Sequence, residues 1–119
     1  SAITRILQQW KTLAEPPTAI FAVNDELALA VSRVLSGLPV RVPEEIAVVG
    51  FDDLPHARLI SPALTTVAQP FYDLGRTAAQ LLLSRMQNNF NGAPRRVLLP
   101  TRLMVRQSCR ANVLLTLTR

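Results

Sequence analysis

The sequence is poor in the residues that build disulfides and metal sites. It has one cysteine, Cys109, and one histidine, His56, among 119 residues. A single cysteine cannot form an internal disulfide, and metal sites need three or four ligands. We therefore expect no disulfide framework, no metal site and no cofactor. Cys109 has no histidine at a readable spacing and is interpreted as an inert thiol.

Long apolar runs and an export signal are also missing. No run approaches the roughly 20 apolar residues that cross a bilayer. The first five residues, SAITR, lack the charged-then-apolar pattern of a signal peptide. These features predict no membrane partner, and together with the single cysteine they favour a cytoplasmic location.

Lysine is nearly missing as well, although the chain is basic. Lys11 is the only lysine among 13 basic residues, which with 8 acidic residues give a net charge of +5. Half of the arginines fall late in the chain: Arg95, Arg96, Arg102, Arg106, Arg110 and Arg119. They could form a nucleic-acid patch or a solvated sheet edge and tail. No aromatic residues interleave with them, which favours the solvated surface.

What is present is enough apolar surface for one compact domain, since 49% of the residues are hydrophobic and 18% charged. Apolar spacing predicts a helix over 3–14 and a second over 25–36, which Asn24 caps and Gly37 ends. Continuous apolar runs at 19–23 and 46–51 are typical of doubly covered parallel strands. This alternation predicts an α/β fold with a parallel sheet flanked by helices.

The pattern changes after Phe51. A long connection over 52–64 leads to a short extended segment, 64–68. A third helix is predicted over 71–88, with the apolar stripe Leu74, Ala78, Leu81 and Leu82. A loop over 88–92 precedes two predicted strands, 96–100 and 103–105, and the tail 110–119 is weakly β-prone.

Several segments together resemble one family. They are 17–28 (PTAIFAVNDELA), 42–53 (VPEEIAVVGFDD), 62–67 (PALTTV) with Gln69, Gly75, and 103–108 (LMVRQS). In this order and spacing they are similar to the lactose/galactose-repressor (LacI/GalR) family of transcriptional regulators, over roughly residues 17–108. One departure is Pro39, which stands where the family usually has a glycine before the Val-Pro turn.

The resemblance implies the C-terminal part of a periplasmic-binding-protein-like sensor with two subdomains. Residues 1–68 and about 101–109 would belong to the C-terminal subdomain, and about 70–100 would supply one helix and one strand of the N-terminal subdomain. The helix-turn-helix that reads DNA would lie upstream of Ser1, so we expect this chain to contact DNA only through that missing head. A small sugar-like effector would bind in the cleft between the subdomains.

Polar residues follow the first two predicted strands, where ligands bind in open parallel sheets. Asn24 and Asp25 follow the first strand, and Asp52 and Asp53 follow the second. Spacing alone leaves two alternatives open: these residues bind hydroxyl groups, or Asn24 caps a helix while the aspartates form a turn.

The resemblance favours binding. It implies that Asn24, Asp52 and Gln69 contact the effector and that Phe71 and Leu74 pack on it. Core packing is the alternative for these last two residues.

A homodimer is also expected. Leu29 lies opposite a helix face that we predict to be the core face, formed by Leu27, Val31, Val34 and Leu35, and an apolar residue there suits a subunit interface. The resemblance adds Ile60 and Pro62 to that interface. A singly exposed leucine is the alternative for Leu29.

Three functions are compatible with these observations. The leading one is the effector-sensing and dimerising part of a repressor. The second is a sugar-binding protein of a transport system with the same fold. The third is an enzyme that uses Asp25 and Asp52 as an acid and base, but the sequence has no nucleophile set, metal cluster or phosphate loop to support it. We therefore expect no catalysis.

Overall fold

A computed structural model describes residues 2–87 and 92–111 of the chain. These residues form two compact units. Unit 1 consists of residues 2–68 and 103–111, and unit 2 consists of residues 69–102 without the four that are not described.

The core of the fold is a four-stranded sheet, in the order β1 (Ala19–Phe21), β2 (Ala47–Asp52), β3 (Thr65–Ala68) and β4 (Arg102–Met104). Strand β2 runs parallel to both of its neighbours, and Val49 stands opposite Phe21 on one side and Thr65 on the other. The parallel α/β sheet expected from the sequence is therefore confirmed.

Helices α1 (Ala2–Trp10) and α2 (Asp25–Ser36) belong to unit 1, as does a short 3-10 helix (Pro55–Arg58). The bounds of α2 are those predicted. The buried hydrophobic cluster joins both α-helices to the sheet and to the 3-10 helix; its members are Leu7, Ala22, Ala28, Val31, Leu35, Val48, Ala57 and Leu64.

Helix α1 ends four residues earlier than predicted. After Trp10 the backbone N–H of Thr12 donates to Gln9 and that of Leu13 donates to Trp10, both at three-residue spacing. The Thr12 hydroxyl also donates to the Gln9 carbonyl at 2.8 Å. Such local side-chain bonds compete with the α-helical ladder, so the helix tightens and stops before Pro16.

Unit 2 contains helix α3 (Phe71–Met86), none of whose residues is buried. The predicted helix is confirmed up to Met86, and residues 88–91 of the loop predicted over 88–92 lie outside the described residues. The predicted strand over 96–100 is wrong, because these residues belong to no strand. A strand requires a neighbour that exchanges backbone hydrogen bonds with it, and in the described chain this segment has none.

The other segments agree broadly with expectation. The strand predicted over 103–105 is β4, one residue earlier, and residues 112–119 of the tail lie outside the described chain. Among the described helices none is both long enough and apolar enough to cross a membrane.

Candidate functional site

The carboxyl ends of β1, β2 and β3 lie at one edge of the sheet because the three strands are parallel. Asn24 follows β1 after two residues, and Asp52 is the last residue of β2. Asp52 stands opposite Ala68, the last residue of β3. Unit 1 thus brings together two of the three polar residues assigned to the effector, at the position where open parallel sheets bind ligands.

Asn24 serves as the cap of helix α2. Its backbone is extended, and its Oδ1 atom accepts a hydrogen bond of 2.9 Å from the N–H of Leu27. This is the usual geometry of an N-terminal cap. The capping role that the sequence left open is therefore confirmed, and it engages the oxygen of the amide rather than its nitrogen.

Asp25 is fully buried and joins three segments of unit 1. Its Oδ2 atom accepts a hydrogen bond of 2.8 Å from the N–H of Leu54, and its Oδ1 atom accepts one of 2.5 Å from the Thr66 hydroxyl. The carboxylate thereby ties the start of α2 to the residues after β2 and to β3. A buried, hydrogen-bonded carboxylate of this kind is a structural group.

Gly50 makes room for that carboxylate. A Cβ atom at Gly50 would overlap Oδ1 of Asp25 and would lie 3.1 Å from Leu64 and 3.2 Å from Ala28. Glycine is therefore required here by close approach rather than by its backbone angles. The sequence motif contains this glycine, but only the structure gives its reason.

The turn that carries Asp52 has an unusual backbone. Asp52 has a φ of 120° and Asp53 a φ of 57°, both positive. Residues other than glycine rarely adopt such angles, and each instance costs of order 1–3 kcal/mol. The turn therefore depends on its surroundings, which supply hydrogen bonds at Leu54 and at the N–H of Asp53, 3.4 Å from the Thr66 hydroxyl.

Two arginines hold the side chain of Asp53. Arg58 donates to its Oδ2 atom at 3.1 Å, and Arg106 donates to its Oδ1 atom. Burial by itself would raise the pKa of the Asp53 carboxyl, but the hydrogen bonds from Arg106 and Arg58 outweigh it and hold the pKa below its ordinary value. Asp53 is thus engaged in the turn, as the second sequence alternative predicts.

The segment after β4 links the start of β3 to the turn that follows β2. The guanidinium of Arg106 also donates to the Leu64 carbonyl at 2.8 Å, and its backbone N–H donates to the Thr65 hydroxyl at 2.9 Å. The sequence analysis placed Arg106 in the motif LMVRQS and among the late arginines, but did not connect it to Asp53. A basic residue close after a strand, in a segment that returns to an acidic turn, is the signal that could have identified it.

Ser108 is buried and bridges the beginnings of β2 and β3. Its hydroxyl donates to the Val48 carbonyl at 2.6 Å and accepts from the Thr65 N–H at 2.7 Å. The thiol of Cys109 accepts a hydrogen bond from the Thr65 hydroxyl at 3.2 Å. Both residues therefore anchor the returning segment, a role that spacing alone did not predict.

The remaining residues assigned to the effector lie in unit 2. Gln69 directly follows β3, while Phe71 and Leu74 occupy the first turn of α3. Phe71 is 52% exposed and Leu74 is 39% exposed, so neither residue is part of the core that the described residues form. The shared cleft of Asn24, Asp52 and Gln69 stays a prediction.

The three proposed interface residues, Leu29, Ile60 and Pro62, are all half-buried, and Ile60 packs against the hydrophobic core.

Leu27 was assigned to the core face of α2, and this is wrong: it is 40% exposed. The buried face consists of Asp25, Ala28, Val31 and Leu35. The reason is that the Asp25 carboxylate, not an aliphatic side chain, occupies the first core position. Among the described residues no three potential metal ligands cluster.

Comparison with known proteins agrees with this architecture. Residues 1–109 match the family model of the periplasmic binding protein-like domain. The HTH-type transcriptional repressor CytR of Escherichia coli strain K12 is 38% identical over 108 residues, which cover 91% of this chain and 31% of the repressor. The chain thus spans about a third of the length of that relative.

Solved structures give the same result. A LacI family transcriptional regulator from Enterococcus faecium with bound ribose superimposes with a TM-score of 0.76 at 36% identity, over 90% of this chain and 39% of that one. The lac repressor dimer bound to operator and the anti-inducer ONPF superimposes with a TM-score of 0.77 at 31% identity, over 91% and 36%. The chain therefore belongs to the periplasmic binding protein-like domain family, and its sequence and fold are similar to those of LacI family transcriptional regulators.

Proposed function

We propose that this chain is the effector-sensing and dimerising part of a LacI/GalR-type transcriptional repressor that acts in the cytoplasm. Unit 1 corresponds to most of the C-terminal subdomain and unit 2 to part of the N-terminal subdomain. The effector of the whole sensor is a small sugar-like molecule. Asn24, Asp52 and Gln69 form its hydrogen bonds, and Phe71 and Leu74 pack on its apolar face.

The observation that carries this proposal is the joint placement of Asn24 and Asp52 at the carboxyl ends of adjacent parallel strands. A carboxylate accepts several hydrogen bonds from sugar hydroxyls. The cap uses the oxygen of Asn24, so its amide nitrogen is the atom suited to donate to a ligand. The pair therefore offers both an acceptor and a donor to a polyhydroxylated molecule.

Regulation follows from differential binding. An effector that binds one arrangement of the two subdomains better than another shifts the equilibrium toward the first. In the whole repressor this shift would alter affinity for operator DNA through a helix-turn-helix outside this sequence. Leu29, Ile60 and Pro62 of unit 1 would form the homodimer contact.

The two other functions have less support. A transport-type sugar-binding protein has the same fold, but the relatives described above are regulators. An enzyme with Asp25 and Asp52 as acid and base would need both carboxylates at the substrate, and Asp25 is fully buried in hydrogen bonds to Leu54 and Thr66.

The proposal can be tested by calorimetric titration with a panel of sugars that includes D-ribose, cellobiose and lactose. Losing a hydrogen bond to a charged group costs about 1.5–3 kcal/mol, so Asp52→Ala should weaken the binding of the preferred sugar about 10-fold to 100-fold. Asp73→Ala is the matched control, because it removes an exposed carboxylate that pairs with Arg76 within α3. Equal affinity in the Asp52 variant and the control would contradict the proposal.

A further inference from the structure

The turn formed by Asp52 and Asp53 is strained in isolation and must be held by its neighbours. Two consecutive non-glycine residues with φ values of 120° and 57° are not what a free chain would adopt. Within unit 1, the contacts that hold the side chain of Asp53 come from Arg58 and Arg106. Arg106 is the more distant partner, 53 residues later in the sequence.

The two arginines are not equivalent. The side chain of Arg58 is 63% exposed, so water competes for its bond to Asp53. The side chain of Arg106 is only 13% exposed and that of Asp53 only 8%. A charge-assisted bond between two groups shielded from water is stronger than an exposed one, which makes Arg106 the dominant partner.

Arg106 is itself fixed from two sides. Its guanidinium donates to the carbonyl of Leu64 at 2.8 Å, and its backbone N–H donates to the hydroxyl of Thr65 at 2.9 Å. Both partners lie at the start of β3, next to the strand that ends in the turn. Arg106 therefore links the start of β3 to the carboxylate of Asp53, the residue that follows Asp52.

From these contacts we infer that Arg106 is a positioning residue for effector binding: through Asp53 it holds the left-handed turn that presents Asp52. Arg106 does not contact the effector. The role of Arg106 in effector binding rests on the function proposed above. Its role in holding the turn is independent of that function.

The first measurement needs no ligand. The N–H of Leu54, bonded to the buried carboxylate of Asp25, reports whether the turn is closed. In Arg106→Gln the hydrogen exchange of this amide should accelerate about 10-fold or more, while amides in the β2–β3 ladder, such as that of Gly50, exchange as in the wild type. Arg106→Lys, which keeps the charge, should recover part of the protection.

Arg41→Gln is the matched control, because it removes an arginine from the exposed pair with Glu45 elsewhere in unit 1. It should leave the Leu54 amide unchanged. Asp53→Asn and the double variant with Arg106→Gln complete the set. The double variant should exchange no faster than the more affected single variant, because both changes break one linkage. Additive effects, or equal acceleration in the β2–β3 ladder, would overturn the inference by showing a general structural role.

The second measurement concerns binding. For whichever panel sugar binds the wild type, Arg106→Gln should raise the dissociation constant about 10-fold and Arg106→Lys less, with Arg41→Gln unchanged. Unchanged binding in Arg106→Gln would overturn the positioning role. If no sugar binds the wild type, the proposed function fails, and the Leu54 amide still decides whether Arg106 holds the turn.

Discussion

The buried carboxylate of Asp25 accepts a hydrogen bond from the backbone N–H of Leu54, 29 residues later in the chain. This contact, together with the one from Thr66, holds the first residue of α2 against the turn that follows β2. The sheet edge that we assign to the effector is therefore held in place by Asp25, a residue that we do not assign to the effector.

Replacing Asp25 should destabilise the chain strongly. Asp25→Ala leaves the N–H of Leu54 and the hydroxyl of Thr66 without their acceptor, and each buried unsatisfied group costs about 1–3 kcal/mol. We expect the free energy of unfolding in urea to fall by about 2–5 kcal/mol. A loss below about 0.5 kcal/mol, as is usual for surface substitutions, would mean that these hydrogen bonds do not support unit 1.

Gly50 and Gly75 form a matched pair for testing close packing. Gly50→Ala would place a methyl group against Asp25, Leu64 and Ala28, and should cost about 1–3 kcal/mol. Gly75 lies inside α3 with nothing within 4 Å of its added Cβ. Gly75→Ala should therefore be neutral or should stabilise by up to about 1 kcal/mol, the helix preference of alanine. Thermal unfolding of both variants gives the comparison, and a reversed order would contradict the packing described here.

Asn24 has two assigned roles that substitution can separate. Asn24→Ala removes the cap and should cost about 1 kcal/mol of stability. Asn24→Asp keeps the capping oxygen but removes the amide donor. It should retain most of the stability and still lose affinity for the sugar. Urea unfolding and calorimetry on both variants check this, and full affinity in Asn24→Asp would exclude the amide as a ligand group.

The stability of unit 1 should depend on pH through Asp53. Its pKa is lowered in the folded chain because the hydrogen bonds from Arg106 and Arg58 outweigh burial. The stability that the ionised Asp53 adds to unit 1 is therefore fully present above the ordinary carboxyl pKa of 3.8. It is lost as the pH falls through the lower pKa of the folded chain. Urea unfolding from about pH 6 to about pH 2.5 should show a smaller decline in Asp53→Asn than in the wild type. Parallel curves would show that the ion pairs contribute nothing.

Much of the fold could be predicted from the sequence because the signals were local. Asn24 and Gly37 delimit α2, and the run 46–51 contains most of β2. The strand predicted over 96–100 failed for the opposite reason: its apolar pattern is local, but pairing depends on a neighbour that the described chain does not supply.

The site was predicted less completely. The resemblance located Asn24 and Asp52, yet the residues that fix them were missed. Arg106 and Ser108 act through contacts that span 40 or more residues, which no local pattern contains. Asp25 could have been found, since it shares a helix face with Ala28, Val31 and Leu35, where a buried acid must have hydrogen-bond partners.

The most direct test of the central claim is to map sugar binding onto the chain by NMR. The ¹⁵N-labelled chain would be titrated with D-ribose, cellobiose and lactose, and amide shifts would be followed residue by residue. We predict that one sugar shifts the amides around Asn24 and Asp52, together with that of Gln69, and that Asp52→Ala abolishes these shifts. Shifts confined to other parts of the described chain, such as the outer face of α1, would contradict the account.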